Sequence, residues 1–245
     1  MSALKKSPRY ILVINDMGGD HGRPFEGLGL EVTKDLSILN RDPDLIAAVL
    51  FTGGADVSPE LYAASPHPTT HPRRGRDIEE LAICNRAINE GIPLLGICRG
   101  AQLLCVMAGG KLIQDVTGHG SCTHPVKALL PSGEEVEFDV TGDHHQMQFP
   151  WGLMEEEEFK VLAWGTSPRS KHYAFDADNT LLVDKASEDI LKEPDIIWYP
   201  KIKALAMQFH PEWMSWDAPA VNYVRELFTT YITVSKEVDG NAYQA

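Results

Sequence analysis

Short apolar runs alternate along the chain with longer stretches in which apolar residues recur at helical spacing. Residues 10–14 (YILVI), 47–52 (AAVLFT) and 92–97 (IPLLGI) each form a short apolar run that is typical of a buried strand. Residues 77–89, between the last two runs, place apolar side chains on one helical face, and Gly91 ends that helix. This alternation predicts parallel strands covered by helices.

The second half of the chain repeats the strand signal more weakly. Residues 135–140, 159–164, 195–199 and 204–209 are predicted strands, with a turn at Pro200 and Lys201 between the last two. Residues 219–234 carry apolar side chains three and four positions apart, which predicts a closing amphipathic helix.

Two stretches give a less definite pattern. Residues 30–34 fit either a strand or a helix fragment, because nearby glycines interrupt longer elements. Residues 167–194 are polar and irregular, which predicts a long loop that is either functional or disordered. This loop would be a lid or a surface that docks a partner, because it contains the ring side chains of His172, Tyr173 and Phe175.

Composition narrows the class of protein. The chain has 245 residues, of which 43% are hydrophobic, so it can bury a sizeable core as a single domain over residues 1–245. A net charge of −13 argues against direct binding of nucleic acid. No apolar run approaches the roughly 20 residues of a membrane span, and none resembles a signal peptide. Four cysteines without paired CxxC spacing predict a reducing, cytoplasmic environment.

The glutamates at 155–158 raise the question of a metal site, because carboxylates are hard ligands. Such runs more often form a solvated turn, and a turn before the next strand is the prediction here. We therefore assign no metal ligands from the sequence.

The clearest chemical signal is the sequence GICRG at residues 96–100. It joins a predicted buried strand to a helical run, which places Cys98 on a sharp strand-to-helix turn of the nucleophile-elbow type. The flanking glycines leave room for that turn. At a helix N-terminus the free N–H groups and the helix dipole favour thiolate over thiol. Cys98 is therefore a candidate nucleophile for attack on a carbonyl.

A candidate base and its partner follow the last predicted strand, in the sequence QFHPE. Residues two apart in an extended chain face the same way, so Glu212 can orient the His210 imidazole. An H-x-E triplet alone is a weak signal. Together with the elbow, it suggests a nucleophile, a general base and an orienting carboxylate in Cys98, His210 and Glu212.

Several segments together resemble a known family. GICRGAQLL, MAGGKLIQD, DHHQ and QFHPEW, preceded by FTGGADVSPELY and by the R-D-x-x-E of residues 76–80, are similar to the class I glutamine amidotransferase-like superfamily. Within it they are most similar to the gamma-glutamyl-gamma-aminobutyrate hydrolase branch of the gamma-glutamyl hydrolase-type (C26-like) peptidases. The resemblance implies a flavodoxin-like α/β/α three-layer sandwich with a mostly parallel central sheet. The nucleophile would lie at the C-terminal end of a strand, where such sheets bind ligands.

The resemblance also implies roles for residues around the nucleophile. The backbone N–H groups of Arg99 and of Gly54, with Gly53 as the alternative, would form an oxyanion hole. Gln102 would hold the glutamyl part of the substrate. The family HHQ motif corresponds to His144, His145 and Gln146, near the pocket; a purely structural loop is the competing interpretation.

The activity implied is hydrolysis of a gamma-glutamyl amide through a thioester on Cys98, without a metal or organic cofactor. An alternative with the same chemistry is a glutaminase component that supplies ammonia to a separate synthetase chain. An alternative of another class is a catalytically silent binding or regulatory module. The expected ligand is a small gamma-glutamyl compound or glutamine, and the chain could form a homodimer or pair with a synthetase.

The net charge adds one expectation about the pocket. A gamma-glutamyl substrate carries its own carboxylate, so local donors must offset the unfavourable field of an acidic protein. The helix N-terminus after Cys98 and the Arg99 side chain are the candidates.

Overall fold

The computed structural model describes residues 9–16 and 18–233. It contains fourteen strands among these residues, and the run YILVI forms the first of them, as predicted. The strands are β1 (Tyr10–Ile14), β2 (Glu31–Thr33), β3 (Ile46–Phe51), β4 (Leu94–Ile97), β5 (Lys111–Ile113), β6 (Asp115–Val116), β7 (Cys122–Leu129), β8 (Glu135–Gly142), β9 (Met147–Phe149), β10 (Lys160–Gly165), β11 (His172–Ala174), β12 (Thr180–Leu182), β13 (Pro194–Tyr199) and β14 (Ala204–Met207).

Within the described residues, five α-helices connect or cover these strands. They are α1 (Ile38–Arg41), α2 (Arg74–Asn89), α3 (Arg99–Met107), α4 (Glu188–Leu191) and α5 (Pro219–Leu227). A π-helical segment, Phe228–Thr233, continues α5. The predicted closing helix is therefore present up to the end of the described residues, and Val234 lies outside them.

Nine strands form one mixed sheet in the order β2-β1-β3-β4-β14-β13-β10-β7-β8. The five strands from β2 to β14 are parallel to one another, whereas β13 is antiparallel to β14 and the pairs β13–β10, β10–β7 and β7–β8 are antiparallel too. β4 lies inside the parallel half, so the turn after it opens at the edge where parallel strands end.

The core lies on both faces of this sheet, because side chains of a strand alternate between them. Leu12 and Val49 point to the face covered by α2 and α3, while Ile11 and Leu50 point to the face covered by α5. The result is a three-layer α/β/α arrangement that confirms the predicted fold class.

β7 was not predicted, because Pro125 interrupts its pattern and proline cannot donate to a strand ladder. The structure accommodates this proline at the point where pairing with β10 ends: Val126 is the last residue of β7 in register with β10, opposite Gly165. Pro125 is in register with β8 alone.

The prediction of an irregular loop over residues 167–194 was wrong. This segment contains β11, β12 and α4, and β11 pairs with both β12 and β6 in a small antiparallel sheet. Tyr173 is fully buried and its hydroxyl donates to Glu193 Oε1 at 2.7 Å, so it belongs to a packed layer and not to a mobile lid.

Two further expectations concern the surface. The glutamates at 155–158 lie in a turn, as predicted, and Glu158 pairs with Lys201 at 2.5 Å. Within residues 9–16 and 18–233, no helix combines the length and the apolar character needed to cross a membrane.

Candidate active site

Cys98 occupies a strained turn between β4 and α3. Its φ of 52° and ψ of −109° lie outside the regions that side chains usually adopt, and such strain is common at functional sites. Both flanking glycines are required by close packing. A Cβ on Gly100 would lie 2.1 Å from the carbonyl oxygen of Phe51, and one on Gly96 would lie 2.6 Å from the Gly100 backbone. The GICRG spacing thus produces the elbow for steric reasons.

His210 lies beside this turn and is held on three sides. Its Nδ1 donates to Glu212 Oε1 at 2.7 Å, which leaves Nε2 free to exchange a proton. The indole of Trp213 stacks on the imidazole, with 3.7 Å between ring centroids and 4° between planes. A Cβ on Gly53 would lie 3.1 Å from Cε1 of His210 and 3.7 Å from the Cβ of Cys98. The structure therefore gathers Cys98, His210, Glu212 and Gly53 in one place.

The surroundings of Cys98 favour its neutral thiol over the thiolate. Burial raises its pKa to about 12, and the carboxylates of Glu212, Asp143 and Asp56 add to the rise, while a hydrogen bond from the Arg99 backbone N–H opposes it. The helix N-terminus therefore does not by itself produce the thiolate that the sequence suggested. Conversion of this thiol to a thiolate would therefore need a base.

The Arg99 side chain does not face the pocket, which corrects the expectation that it offsets a substrate carboxylate. Its guanidinium is buried and pairs with Asp77 and Glu80 on α2, and its Nε donates to the carbonyl oxygen of Ala55 at 2.9 Å. A buried guanidinium needs such partners. The R-D-x-x-E sequence thus anchors the elbow to α2.

The loop after β3 is held by Arg76 from the same helix. Its Nη2 and Nη1 donate to the carbonyl oxygens of Thr52 and Gly53, each at 2.9 Å. N–H and C=O of a trans peptide point in opposite directions, so the N–H groups of Gly53 and Gly54 are turned away from Arg76. Gly54 has a φ of +142°, and a Cβ there would lie 2.1 Å from Arg76 Nη1.

The predicted substrate-binding residues contact one another through a single carbonyl group. Gln102 Nε2 donates to the Gln146 carbonyl oxygen at 3.0 Å, and His144 Nδ1 donates to the same oxygen at 2.9 Å. Gln146 Nε2 donates to Thr70 Oγ1 at 3.0 Å. The three side chains are buried, so in this structure Gln102 and His144 hold the loop.

His145 differs from its neighbours because its side chain is 42% exposed. Nε2 lies 3.1 Å from Asp56 Oδ1, and Nδ1 lies 3.6 Å from Asp115 Oδ1. The hydrogen bond to Asp56 raises the pKa of His145, against the effect of partial burial. This residue can therefore present a positive charge more readily than an ordinary histidine. By contrast, burial holds the pKa of His144 well below its usual value.

Comparison with known families gives a match to the Peptidase C26 model over residues 27–212. The chain belongs to the Peptidase C26 family. This confirms the resemblance to the C26-like peptidases drawn from the sequence.

Relatives of this Peptidase C26 member carry several names. Protein NtpR of Enterococcus hirae is 41% identical over 174 residues, which cover 69% of this chain and 68% of NtpR. Gamma-glutamyl-gamma-aminobutyrate hydrolase PuuD of Escherichia coli is 28% identical over 198 residues, 77% of this chain and 72% of PuuD. A Mycobacterium tuberculosis protein that bears a glutamine amidotransferase name is 49% identical over 80 residues, 31% of this chain. That match spans only 26% of the mycobacterial protein, and a match to a Lactococcus lactis relative spans 52% of its length.

Solved structures agree on the fold. A glutamine amidotransferase from Thermotoga maritima superposes with a TM-score of 0.54 at 13% identity, covering 98% of this chain and 87% of the other. A Thermoplasma acidophilum protein that bears a GMP synthase name gives 0.55 at 16% identity, covering 96% of this chain and 99% of the other. At these identities the likeness concerns the fold alone.

Sequence reasoning missed two residues that contact the candidate triad of this C26 protein. Trp213 stacks on His210, and His21, from the loop after β1, has its Nε2 3.4 Å from Glu212 Oε1. A signal for His21 existed: the carboxyl ends of parallel strands meet at one edge of a sheet, so a histidine shortly after a predicted first strand was a candidate.

Proposed function

We propose that this protein hydrolyses a gamma-glutamyl amide through a thioester on Cys98, with His210 as general base and acid and Glu212 as the residue that orients it. One observation carries the proposal: a cysteine at positive φ on a strand-to-helix elbow lies with a buried His–Glu pair around Gly53. This arrangement supplies the nucleophile, base and orienting group that acyl transfer needs.

The proposed first step moves one proton and breaks one bond. His210 Nε2 accepts the Cys98 proton as Sγ attacks the side-chain carbonyl carbon of the substrate. The imidazolium, stabilised by Glu212 and by the face of Trp213, then donates that proton to the departing amine as the C–N bond breaks. The buried thiol with its raised pKa supports proton transfer coupled to attack over a permanent thiolate.

In the second step, water attacks the thioester after giving a proton to His210. Glutamate leaves, and the proton returns to the Cys98 thiol. The backbone N–H of Arg99 and that of Gly54 or Gly53 would stabilise the oxyanion in both steps. Arg76 supports this assignment, because it binds the carbonyl groups on the opposite side of the loop.

The gamma-glutamyl class is inferred from relatives and from the pocket edge. PuuD is named for a gamma-glutamyl substrate. The substrate's own carboxylate would need a donor, and the imidazole of His145, whose side chain is 42% exposed, replaces Arg99 as the candidate. Gln102, His144 and Gln146 would then act by shaping the loop that carries His145.

The test is a screen of the purified protein against glutamine, gamma-glutamyl amines and polyglutamyl compounds, with products identified by mass. Release of glutamate and free amine is expected from at least one gamma-glutamyl amine. Cys98→Ala should lower kcat by about 10⁴-fold or more while leaving the far-UV circular dichroism unchanged. Wild-type turnover by Cys98→Ala would remove the thioester from the mechanism.

A glutaminase component of a synthetase is the second candidate, because a relative and a fold neighbour carry glutamine amidotransferase and GMP synthase names. The same screen separates the two functions. Hydrolysis of glutamine only in the presence of a separate ATP-using chain would favour the glutaminase. A gamma-glutamyl electrophile that fails to label Cys98 would favour a silent binding module.

A further inference from the structure

His21 brings a second imidazole to the His210–Glu212 pair. Its Nε2 lies 3.4 Å from Glu212 Oε1, the same oxygen that accepts from His210 Nδ1. The ring is 12% exposed. It fits because position 19 is glycine: a Cβ there would lie 2.4 Å from Cε1 of His21. The loop after β1 is thus shaped to place this histidine against the proposed catalytic carboxylate.

The three residues form a compact set of metal-ligand atoms. Each of His21, His210 and Glu212 offers one ligand atom, and these atoms all lie within 4.8 Å of one another. In the part of the chain that the structure describes, this is the one such group of three or more. Two imidazoles and a carboxylate are a ligand set typical of zinc sites that keep a fourth position for water.

The spacing suits zinc after one small change. Tetrahedral bonds of about 2.0–2.1 Å place neighbouring ligand atoms roughly 3.4 Å apart. His21 Nε2 and Glu212 Oε1 already have that separation, at 3.4 Å. His210 Nδ1 and Glu212 Oε1 are 2.7 Å apart because a proton lies between them. A metal ion that replaces this proton would lengthen the distance between His210 Nδ1 and Glu212 Oε1 by less than about 1 Å, which requires only a small adjustment of the two side chains.

The surroundings orient His21 as metal-binding histidines are usually oriented. Its Nδ1 donates to Asp16 Oδ1 at 2.9 Å, and Lys34 Nζ holds the other Asp16 oxygen at 2.7 Å. A carboxylate on the far nitrogen fixes the tautomer and directs the remaining lone pair at the metal. A second observation concerns the other oxygen of the same carboxylate: Glu212 Oε2 is buried and has no hydrogen-bond partner among the described residues, so the carboxylate lacks part of the compensation that a buried charge needs.

We propose that His21, His210 and Glu212 bind Zn²⁺, and that this ion is a reversible inhibitor. A histidine that coordinates metal through Nδ1 carries its proton on Nε2, so it cannot accept another from Cys98. The ion also takes the Glu212 oxygen that orients His210. Binding is independent of what the protein hydrolyses, whereas inhibition rests on the proposed function.

Calorimetric titration of the whole chain with ZnCl₂ tests the site. His21→Gln should weaken Zn²⁺ binding by about 100-fold and Asp16→Asn by about 10-fold, the range expected for lost ligands and their supporting carboxylates. His71→Gln, at an exposed histidine, is the matched control and should bind as the wild type does. Cys98→Ala should also bind as the wild type does.

Two outcomes would overturn the site. One is equal Zn²⁺ affinity in the wild type, His21→Gln and Asp16→Asn. The other is loss of binding in Cys98→Ala with His21→Gln unaffected, which would place the ion on the Cys98–His210 pair. Circular dichroism melting of each variant identifies one that fails to fold, and Asp16→Asn then carries the test.

Activity measurements test the inhibition separately. Zn²⁺ should suppress wild-type hydrolysis, and EDTA should restore it. His21→Gln should turn over substrate without metal and need about 100-fold more Zn²⁺ for half inhibition. Equal sensitivity in both proteins would contradict the proposal. If the wild type hydrolyses no substrate offered, the proposed function fails, and calorimetry still decides whether the site binds zinc.

Discussion

The parallel and antiparallel halves of the central sheet contribute to the candidate site in different ways. In the parallel half, three site residues lie within three positions of a strand end: Gly53 after β3, Cys98 after β4 and His210 after β14. In the antiparallel half, the polar contacts join distant positions. His119 bonds to Glu193, 74 residues away, and His124 bonds to Asp195, 71 residues away.

We infer that the parallel half carries the candidate reacting groups and that the antiparallel half stabilises the fold around them. The ends of parallel strands meet at one edge, so short local sequences are enough to assemble reacting groups there. In the antiparallel half, by contrast, buried polar groups form hydrogen bonds with one another. We therefore expect substitutions in the first half to change turnover or the elbow, and substitutions in the second to change stability.

The largest effect is expected at the anchor of the elbow. Arg99→Met leaves the buried Asp77 without its guanidinium and Glu80 with that of Arg76 alone, and it should lower the free energy of unfolding by about 3–5 kcal/mol. Urea denaturation measures this. Arg86→Met, which removes a largely exposed pair with Glu90, is the control and should cost less than about 1 kcal/mol. Similar losses in both variants would show that the buried network does not stabilise the elbow.

Gly54→Ala should act on turnover with the next largest effect. The added Cβ would meet Arg76 and displace the loop whose N–H groups are proposed to bind the oxyanion. Loss of one such donor lowers kcat by about 10²–10³-fold. Gly75→Ala is a close control, because no atom lies within 4 Å of its Cβ position. Unchanged kcat in Gly54→Ala would remove this loop from the oxyanion hole.

Glu193→Gln tests how much the buried contacts of the antiparallel half stabilise the fold. Burial raises the pKa of Glu193, but hydrogen bonds from His119, Tyr173 and the Ser170 backbone, with attraction to His119, outweigh burial and lower the pKa. A carboxyl group with a lowered folded-state pKa stabilises the fold above the ordinary glutamate range, and this stability is lost as the pH falls through the folded-state value. The substitution should cost about 1–3 kcal/mol at neutral pH.

Unfolding measured from about pH 7 to about pH 3 checks both parts of that prediction. The Glu193→Gln protein should lose less stability on acidification than the wild type, and its kcat should stay within a few-fold of wild type. Glu157→Gln, at an exposed glutamate, should leave the stability profile unchanged. A large fall in kcat without a fall in stability would break the division between the two halves.

The smallest effect is expected from Trp213→Ala. In the proposed mechanism the indole face would stabilise the imidazolium of His210 by about 0.5–2 kcal/mol, which corresponds to roughly 2–30-fold in kcat. Trp216→Ala removes a neighbouring partly exposed tryptophan that stacks on Arg225, and it should leave kcat unchanged. Equal kcat in the two variants would show that stacking on His210 does not contribute.

The part of this molecule that could be predicted from sequence follows the same division. β1 and the elbow are encoded by contiguous residues, so their positions and the spacing around Cys98 were predictable. β7 was missed because Pro125 suppresses the strand signal. The strand tolerates this proline because position 125 is in register with β8 and not with β10, and that depends on how the strands are arranged in the sheet. The layer built from residues 167–194 depends on pairing with β6, about 57 positions earlier, as between Tyr173 and Val116.

The direction of side chains was the other property that could not be predicted from the sequence. The sequence suggested Arg99 as a donor to the substrate, but a guanidinium can turn either way from an elbow, and two carboxylates on α2 decide its direction. His21 was missed for a related reason, since its role depends on a contact with Glu212, 191 positions away.

The burial of the Cys98 thiol also bears on how the protein survives oxidants. Oxidation to sulfenic acid and alkylation proceed through thiolate, and both increase with exposure. A thiol that is 7% exposed, with a pKa raised to about 12, offers little thiolate to peroxide or to stray electrophiles. The proposed nucleophile would become reactive mainly toward molecules that engage His210, and this selectivity would protect it between turnovers.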